Sequence, residues 1–82
     1  MQAAITNAYN PVKTLRQSPV GKPAVITGYG KLPPTIRQHL QAYGLLPGRA
    51  IRVLAQQPLT IILIEQTEIA LEGCVAQQIW TE

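Results

Sequence analysis

Eighty-two residues make room for one domain, near the lower size at which a single hydrophobic core holds a fold without disulfides or metals. Apolar residues are 46% of the chain and phenylalanine is absent, the aromatics being Tyr9, Tyr29, Tyr43 and Trp80, so the core has to be built from Ile, Leu and Val. The formal charge is +3, with every basic residue between Lys13 and Arg52 and every acidic one between Glu65 and Glu82; a nucleic-acid binder is expected to carry a denser basic stripe interleaved with aromatic platforms.

Residues 1–14 keep no sustained period, and Asn10-Pro11 is a breaker signal, so a flexible N-terminal arm is expected there. Residues 15–82 are expected to form the folded domain. Pro19-Val20-Gly21-Lys22 reads as a turn, and Pro23-Ala24-Val25-Ile26-Thr27 as a first, β-branched strand. Gly28 and Gly30 bracket Tyr29 and end it. Gly28-Tyr29-Gly30-Lys31 opens like a phosphate loop, but no third glycine follows and the next helix begins with Pro33-Pro34, which removes N–H donors that a phosphate needs.

From Pro34 or Thr35 the spacing of Ile36, Leu40 and Tyr43 predicts a short amphipathic helix, with Arg37, Gln38 and Gln41 turned to water. Gly44 is expected to end it in the left-handed conformation, folding Leu45 back onto Leu40 in a Schellman stop. Pro47-Gly48 then suits a type II turn, proline fixing φ and glycine supplying the positive φ that follows. Ile51-Arg52-Val53-Leu54-Ala55-Gln56 alternates as a half-buried strand, and Gln57-Pro58-Leu59 turns the chain. Thr60-Ile61-Ile62-Leu63-Ile64-Glu65 is too continuously apolar for one polar face and is expected at the centre of the sheet. Gln66-Thr67 is the expected hairpin connection, Glu68-Ile69-Ala70-Leu71 the next strand, Glu72 to Ala76 a single helical turn, and Gln77 to Thr81 the closing strand. About five short strands with one inserted helix predict a mainly β, small barrel, whose closure removes exposed strand edges.

The run Ile36-Arg37-Gln38-His39-Leu40, then Gly44-Leu45-Leu46-Pro47-Gly48, then Ile51-Arg52-Val53 resembles the FeoA family of small SH3-like barrels associated with bacterial ferrous iron transport. That family carries an Arg, a Leu three residues on, and Gly-Leu-x-Pro-Gly-x-x-Ile-x-Val. Gly21 to Ile26, Pro58, Glu68 to Leu71, Ala76 and Ile79 are similar to its flanking segments, so the resemblance spans about residues 15–81. Two departures stand out: Glu72 replaces a residue that is often basic in the family, and the segment after Pro58 lacks the usual Gly-Asp-Pro loop. The resemblance implies a cytoplasmic accessory protein that binds the FeoB transporter at its cytoplasmic GTPase region and assists or regulates Fe²⁺ uptake, touching the membrane only through that transporter. It implies no catalysis and no required cofactor, and a homo-oligomer is compatible with it. The domain also resembles the C-terminal SH3-like module of iron- and manganese-dependent repressors.

Cys74 is the single cysteine, which excludes an internal disulfide and is ordinary in a cytoplasmic protein. The N-terminus lacks a basic region followed by an apolar run, and Ile61-Ile62-Leu63-Ile64 is far too short to span a bilayer, so a soluble protein without a signal peptide is expected. His39, Cys74, Glu65 and Glu68 are the candidate ligands for Fe²⁺ or another divalent transition metal. They show no ligand spacing, and a cysteine beside a helical turn is more often a small buried apolar residue. No nucleophile and base pair is legible, so an enzyme is not expected. Arg37, Arg49 and Arg52 are candidate contacts to an acidic partner surface, where guanidinium forks match carboxylates. Leu46 is hard to place in a core, and with Tyr43 it is expected to form a partner-binding patch. The alternatives are a stand-alone metal-binding or metal-sensing SH3-like module and an SH3-like nucleic-acid binder.

Overall fold

The computed structural model describes residues 13–82; residues 1–12, most of the expected arm, lie outside the described residues. In chain order the elements are β1 (Lys13–Thr14), a 3₁₀ turn (Leu15–Gln17), β2 (Pro23–Tyr29), α1 (Pro34–Ala42), β3 (Ala50–Ala55), β4 (Thr60–Ile64), β5 (Thr67–Leu71), α2 (Gly73–Ala76) and β6 (Ile79–Thr81). The strands form one antiparallel sheet in the order β1-β6-β2-β3-β4-β5. This is a mainly β fold with one short inserted helix, and the described residues contribute six strands where about five are expected. The additional one is β1, whose Lys13 and Thr14 pair with Thr81 and Trp80 instead of ending the arm.

The architecture depends on β2 being shared between two half-sheets. Pro23, Ala24 and Val25 pair with Arg52, Ile51 and Ala50 of β3, whereas Ile26, Gly28 and Tyr29 pair with Thr81, Trp80 and Ile79 of β6. The register slips between Ile26 and Gly28, and such a bulge bends the strand and increases its twist. The strand therefore runs on through Gly28 and Tyr29, which composition alone marks as its end. Between the half-sheets lies one aliphatic core: Ala24 and Ile26 from β2, Ile51 and Val53 from β3, Ile62 and Ile64 from β4, Leu71 and Ile79, with Leu15, Leu32, Leu40, Leu45 and Ala76 filling the ends. Among the described residues the sheet does not close on itself by backbone pairing, β1 and β5 being its two ends.

Two strands differ from expectation in instructive ways. In β4 only Thr60, Ile62 and Ile64 face the core, while Ile61 and Leu63 are half-buried on the outer face; the strand is flanked by β3 and β5 but covered on one side only. The β4–β5 connection is Glu65-Gln66, one residue earlier than the sequence suggests, because Ile64 pairs with Thr67. Glu65 takes φ 57, the positive value that primed hairpin turns require at their first central position and that glycine usually supplies.

The 3₁₀ turn is tied to the β3–β4 loop by one side chain. Gln56 Nε2 donates to the carbonyls of Leu15 and Ser18, both at 2.8 Å, and its Oε1 accepts from the buried Thr60 hydroxyl at 2.7 Å. Without Gln56 the buried Thr60 hydroxyl would lose its partner, at a cost of about 1–3 kcal/mol.

α1 opens with Pro33 as N-cap and Pro34 in its first turn, where a missing N–H costs nothing. Its end is a Schellman motif: the Gly44 N–H donates to the Gln41 carbonyl and the Leu45 N–H to the Leu40 carbonyl, both at 3.0 Å, with Gly44 at φ 96. Leu40 and Leu45 are both buried, the apolar contact that accompanies this stop. A bulky residue at Gly44 would have to hold φ in the left-handed region. Gly44→Val is expected to cost about 1–2 kcal/mol, lowering the thermal midpoint by about 4 °C or more for a domain of this size; an unchanged midpoint in a calorimetric scan would show that the stop carries no strain-sensitive geometry.

Candidate functional site

The chain emerges from the Schellman stop into a second tight turn. The Arg49 N–H donates to the Leu46 carbonyl at 3.0 Å across Pro47-Gly48, and Gly48 takes φ 90, the positive value that a type II turn needs at its third position. The turn is sewn to β2, since the Gly48 N–H donates to the Ile26 carbonyl at 2.7 Å and the Ile26 N–H to the Arg49 carbonyl at 2.9 Å. With Leu45 fully buried between them, the residues on either side have nowhere to go but outward: Tyr43 is 56% exposed and Leu46 41% exposed. The sequence pattern places Tyr43 on the buried stripe of the helix. It is instead the C-cap, past the last helical residue, and turns to solvent.

Arg49 completes this edge. Its Nη1 donates to Glu65 Oε2 at 2.7 Å, joining the turn to the β4–β5 hairpin and the basic half of the chain to the acidic half. The guanidinium lies against Gly44, where an added Cβ would sit 3.7 Å from Nη1. Arg49 is thus committed to a partner within the chain, at side-chain exposure low enough to hold its geometry and high enough to leave the pair wet. Such a pair contributes at most about 1 kcal/mol.

Tyr43, Leu46 and Arg49 follow one another along this edge, and Arg52 lines a shallow surface hollow together with Glu65, the partner of Arg49. Arg52 stands on β3 opposite Pro23 and Leu63, and its Nη1 donates to the Gly21 carbonyl at 2.8 Å. Arg37, exposed on α1, acts on Tyr29. Burial of the Tyr29 phenol pushes its pKa up, and the positive charge of Arg37 offsets part of that rise.

The candidate metal ligands are scattered. His39 and Glu68 are exposed, Glu65 is spent on Arg49, and Cys74 is exposed, not the buried apolar residue expected, with Sγ 3.8 Å from Glu72 Oε1. Among the described residues no three His, Cys, Asp or Glu side chains gather where a metal ion would fit. A surface hollow of about 410 Å³ lies at the opposite end of β2, and among the described residues the titratable side chains lining it are Lys13 and Glu82. No helix among the described residues is long and apolar enough to cross a membrane.

A model of the FeoA domain matches residues 13–82, the same span that the sheet occupies. Among solved structures, an iron uptake regulatory protein (FeoA) is 24% identical with a TM-score of 0.74, over 88% of this chain and 96% of that one. The Stenotrophomonas maltophilia FeoA, crystallised with zinc and described as a procaryotic SH3 domain protein, is 22% identical with a TM-score of 0.75, over 85% of this chain and 89% of that one. The Chlorobium tepidum FeoA protein is 20% identical with a TM-score of 0.78, over 85% of this chain and 69% of that one. No curated protein sequence matches the chain.

The Tyr29 hydroxyl is buried and has no hydrogen-bond partner among the described residues, so it costs desolvation and returns nothing. Its raised pKa means that the unfolded chain loses this proton first. Stability is thus complete below about pH 10, the ordinary phenol value, and falls as pH climbs through it towards the higher folded value. Tyr29→Phe is expected to leave stability at neutral pH unchanged or slightly higher and to flatten this alkaline decline; denaturant titrations at pH 7 and pH 11 measure both.

Proposed function

The chain belongs to the FeoA family, and from that premise we propose that it serves ferrous iron transport as an accessory protein, acting by binding and not by catalysis. The partner is the FeoB transporter, engaged on the cytoplasmic side at its GTPase region. The observation that supports a binding role is the edge where Tyr43 and Leu46 stand exposed on either side of the buried Leu45. Their backbone is held by the Schellman stop, by the Pro47-Gly48 turn and by two hydrogen bonds to β2. Apolar groups fixed in this way lose little conformational freedom on docking, so more of the contact energy becomes affinity. Aromatic anchors such as Tyr43 are the residues on which binding energy concentrates.

The Arg49–Glu65 pair borders the apolar edge and gives it a polar rim. A partner surface with a shallow apolar pocket and a carboxylate able to compete for Arg49 fits this arrangement. Reading the domain as a metal sensor has less to stand on, because His39, Glu65, Glu68 and Cys74 do not converge.

Leu46→Glu tests the proposal. The side chain is solvent-exposed, so the thermal midpoint is expected to move little, whereas a carboxylate driven into an apolar contact is expected to weaken binding to the transporter's cytoplasmic domain at least tenfold, about 1.4 kcal/mol. Calorimetric titration of wild type and variant measures it. Equal affinities would remove the helix–turn edge from the interface.

A further inference from the structure

Strand β5, Thr67–Leu71, ends the sheet: β4 pairs with one side of it and no described strand pairs with the other. Natural edge strands are ordinarily blunted by shortness, proline, charged side chains, a bulge or a covering element. Among the described residues β5, five residues long, has only the single charge of Glu68. It contains no Pro or Lys, its register with β4 is unbroken over all five residues, and Thr67, Glu68 and Ala70 are exposed with Ile69 half-buried. In a two-residue hairpin the closing pair, here Ile64 and Thr67, exchanges hydrogen bonds. Thr67, Ile69 and Leu71 therefore direct their backbone groups to β4, and those of Glu68 and Ala70 point outward.

We propose that β5 is a pairing edge for a second copy of this chain, joined antiparallel about a two-fold axis at Ile69. That register is self-complementary, as a closed two-fold contact requires. It sets Glu68 of one copy opposite Ala70 of the other, so the only charge on the strand never faces its like, and the two residues exchange backbone hydrogen bonds on both sides of the axis. Ile69 falls opposite Ile69 in a non-hydrogen-bonded pair, the closer of the two spacings. Ile69 already packs against the core from its rim, so its mate covers the remainder and extends the core across the axis. Strand addition of this length buries less area than a standard interface, so the dimer is weak and depends on concentration. The helix–turn edge described above is not used by it and stays open to a different partner.

The test is the mass of the full chain by sedimentation over a range reaching millimolar concentration. The mass is expected to rise from 9.0 kDa towards twice that value. Ala70→Pro removes an outward N–H without touching the β4 ladder, and is expected to abolish the rise. Ala70→Glu places like charges opposite Glu68 and is expected to weaken association several-fold, whereas Ala70→Lys places opposite charges there and is expected to strengthen it. Because Ala70 is exposed, these two variants decide the matter even if the proline variant fails to fold. A chain that stays monomeric throughout, or a dimer that responds alike to Glu and Lys, would overturn the proposal.

Discussion

A single left-handed residue sets the course of the chain through the middle of this molecule. Gly44, at φ 96, allows the Leu45 N–H to reach back to the Leu40 carbonyl, and that bond drops the Leu45 side chain into the core. Once Leu45 is fixed, the next residues have room for only a tight turn, and Pro47-Gly48 makes it. The Gly48 and Ile26 amides then lock the turn to β2. The helix end, the middle of the long shared strand and the start of β3 are thereby held by one short piece of backbone. Small domains have little stability to spare, so local geometry of this kind counts for more here than in a larger protein.

The same constraint shapes the surface. A helix that simply frayed would leave Tyr43 and Leu46 with many conformations. Between a Schellman stop and a type II turn they have few. Burial of Leu45 and exposure of its neighbours are two results of one bend, which links the packing of the core to the edge proposed for docking. Arg49 extends the link to the β4–β5 hairpin through Glu65. The hairpin in turn carries the edge strand, so one continuous rim of the molecule runs from the helix–turn edge to β5.

How much of this was legible in the chain depends on how local each interaction is. The helix, its stop at Gly44 and the Pro47-Gly48 turn are written in consecutive residues, and so are the alternating strands β3 and β5. The family could be read from the same stretch. Features that depend on partners remote in sequence were not legible. Lys13 and Thr14 become a strand only because Thr81 and Trp80 lie beside them. Gln56 looks like a polar residue at a strand end, yet it holds the 3₁₀ turn from 41 positions away. The hairpin turns at Glu65-Gln66, one residue before the position that composition suggests, because its positive φ falls on a glutamate and not on glycine or asparagine. Of the docking edge, Tyr43 and Leu46 could be suspected from their misfit with a buried stripe and a small core. The pairing of Arg49 with Glu65, and the bond from Arg52 to the Gly21 carbonyl, required the fold.

The most direct measurement is hydrogen exchange at the Leu45 and Gly48 amides, the two donors that hold the bend. Both should exchange as slowly as the amides of the central strands, because breaking either bond exposes Leu45 and requires opening of the core. Exchange of these two amides at the rate of an unprotected loop, with β3 and β4 still protected, would mean that the bend is not what holds the helix end, the turn and β2 together.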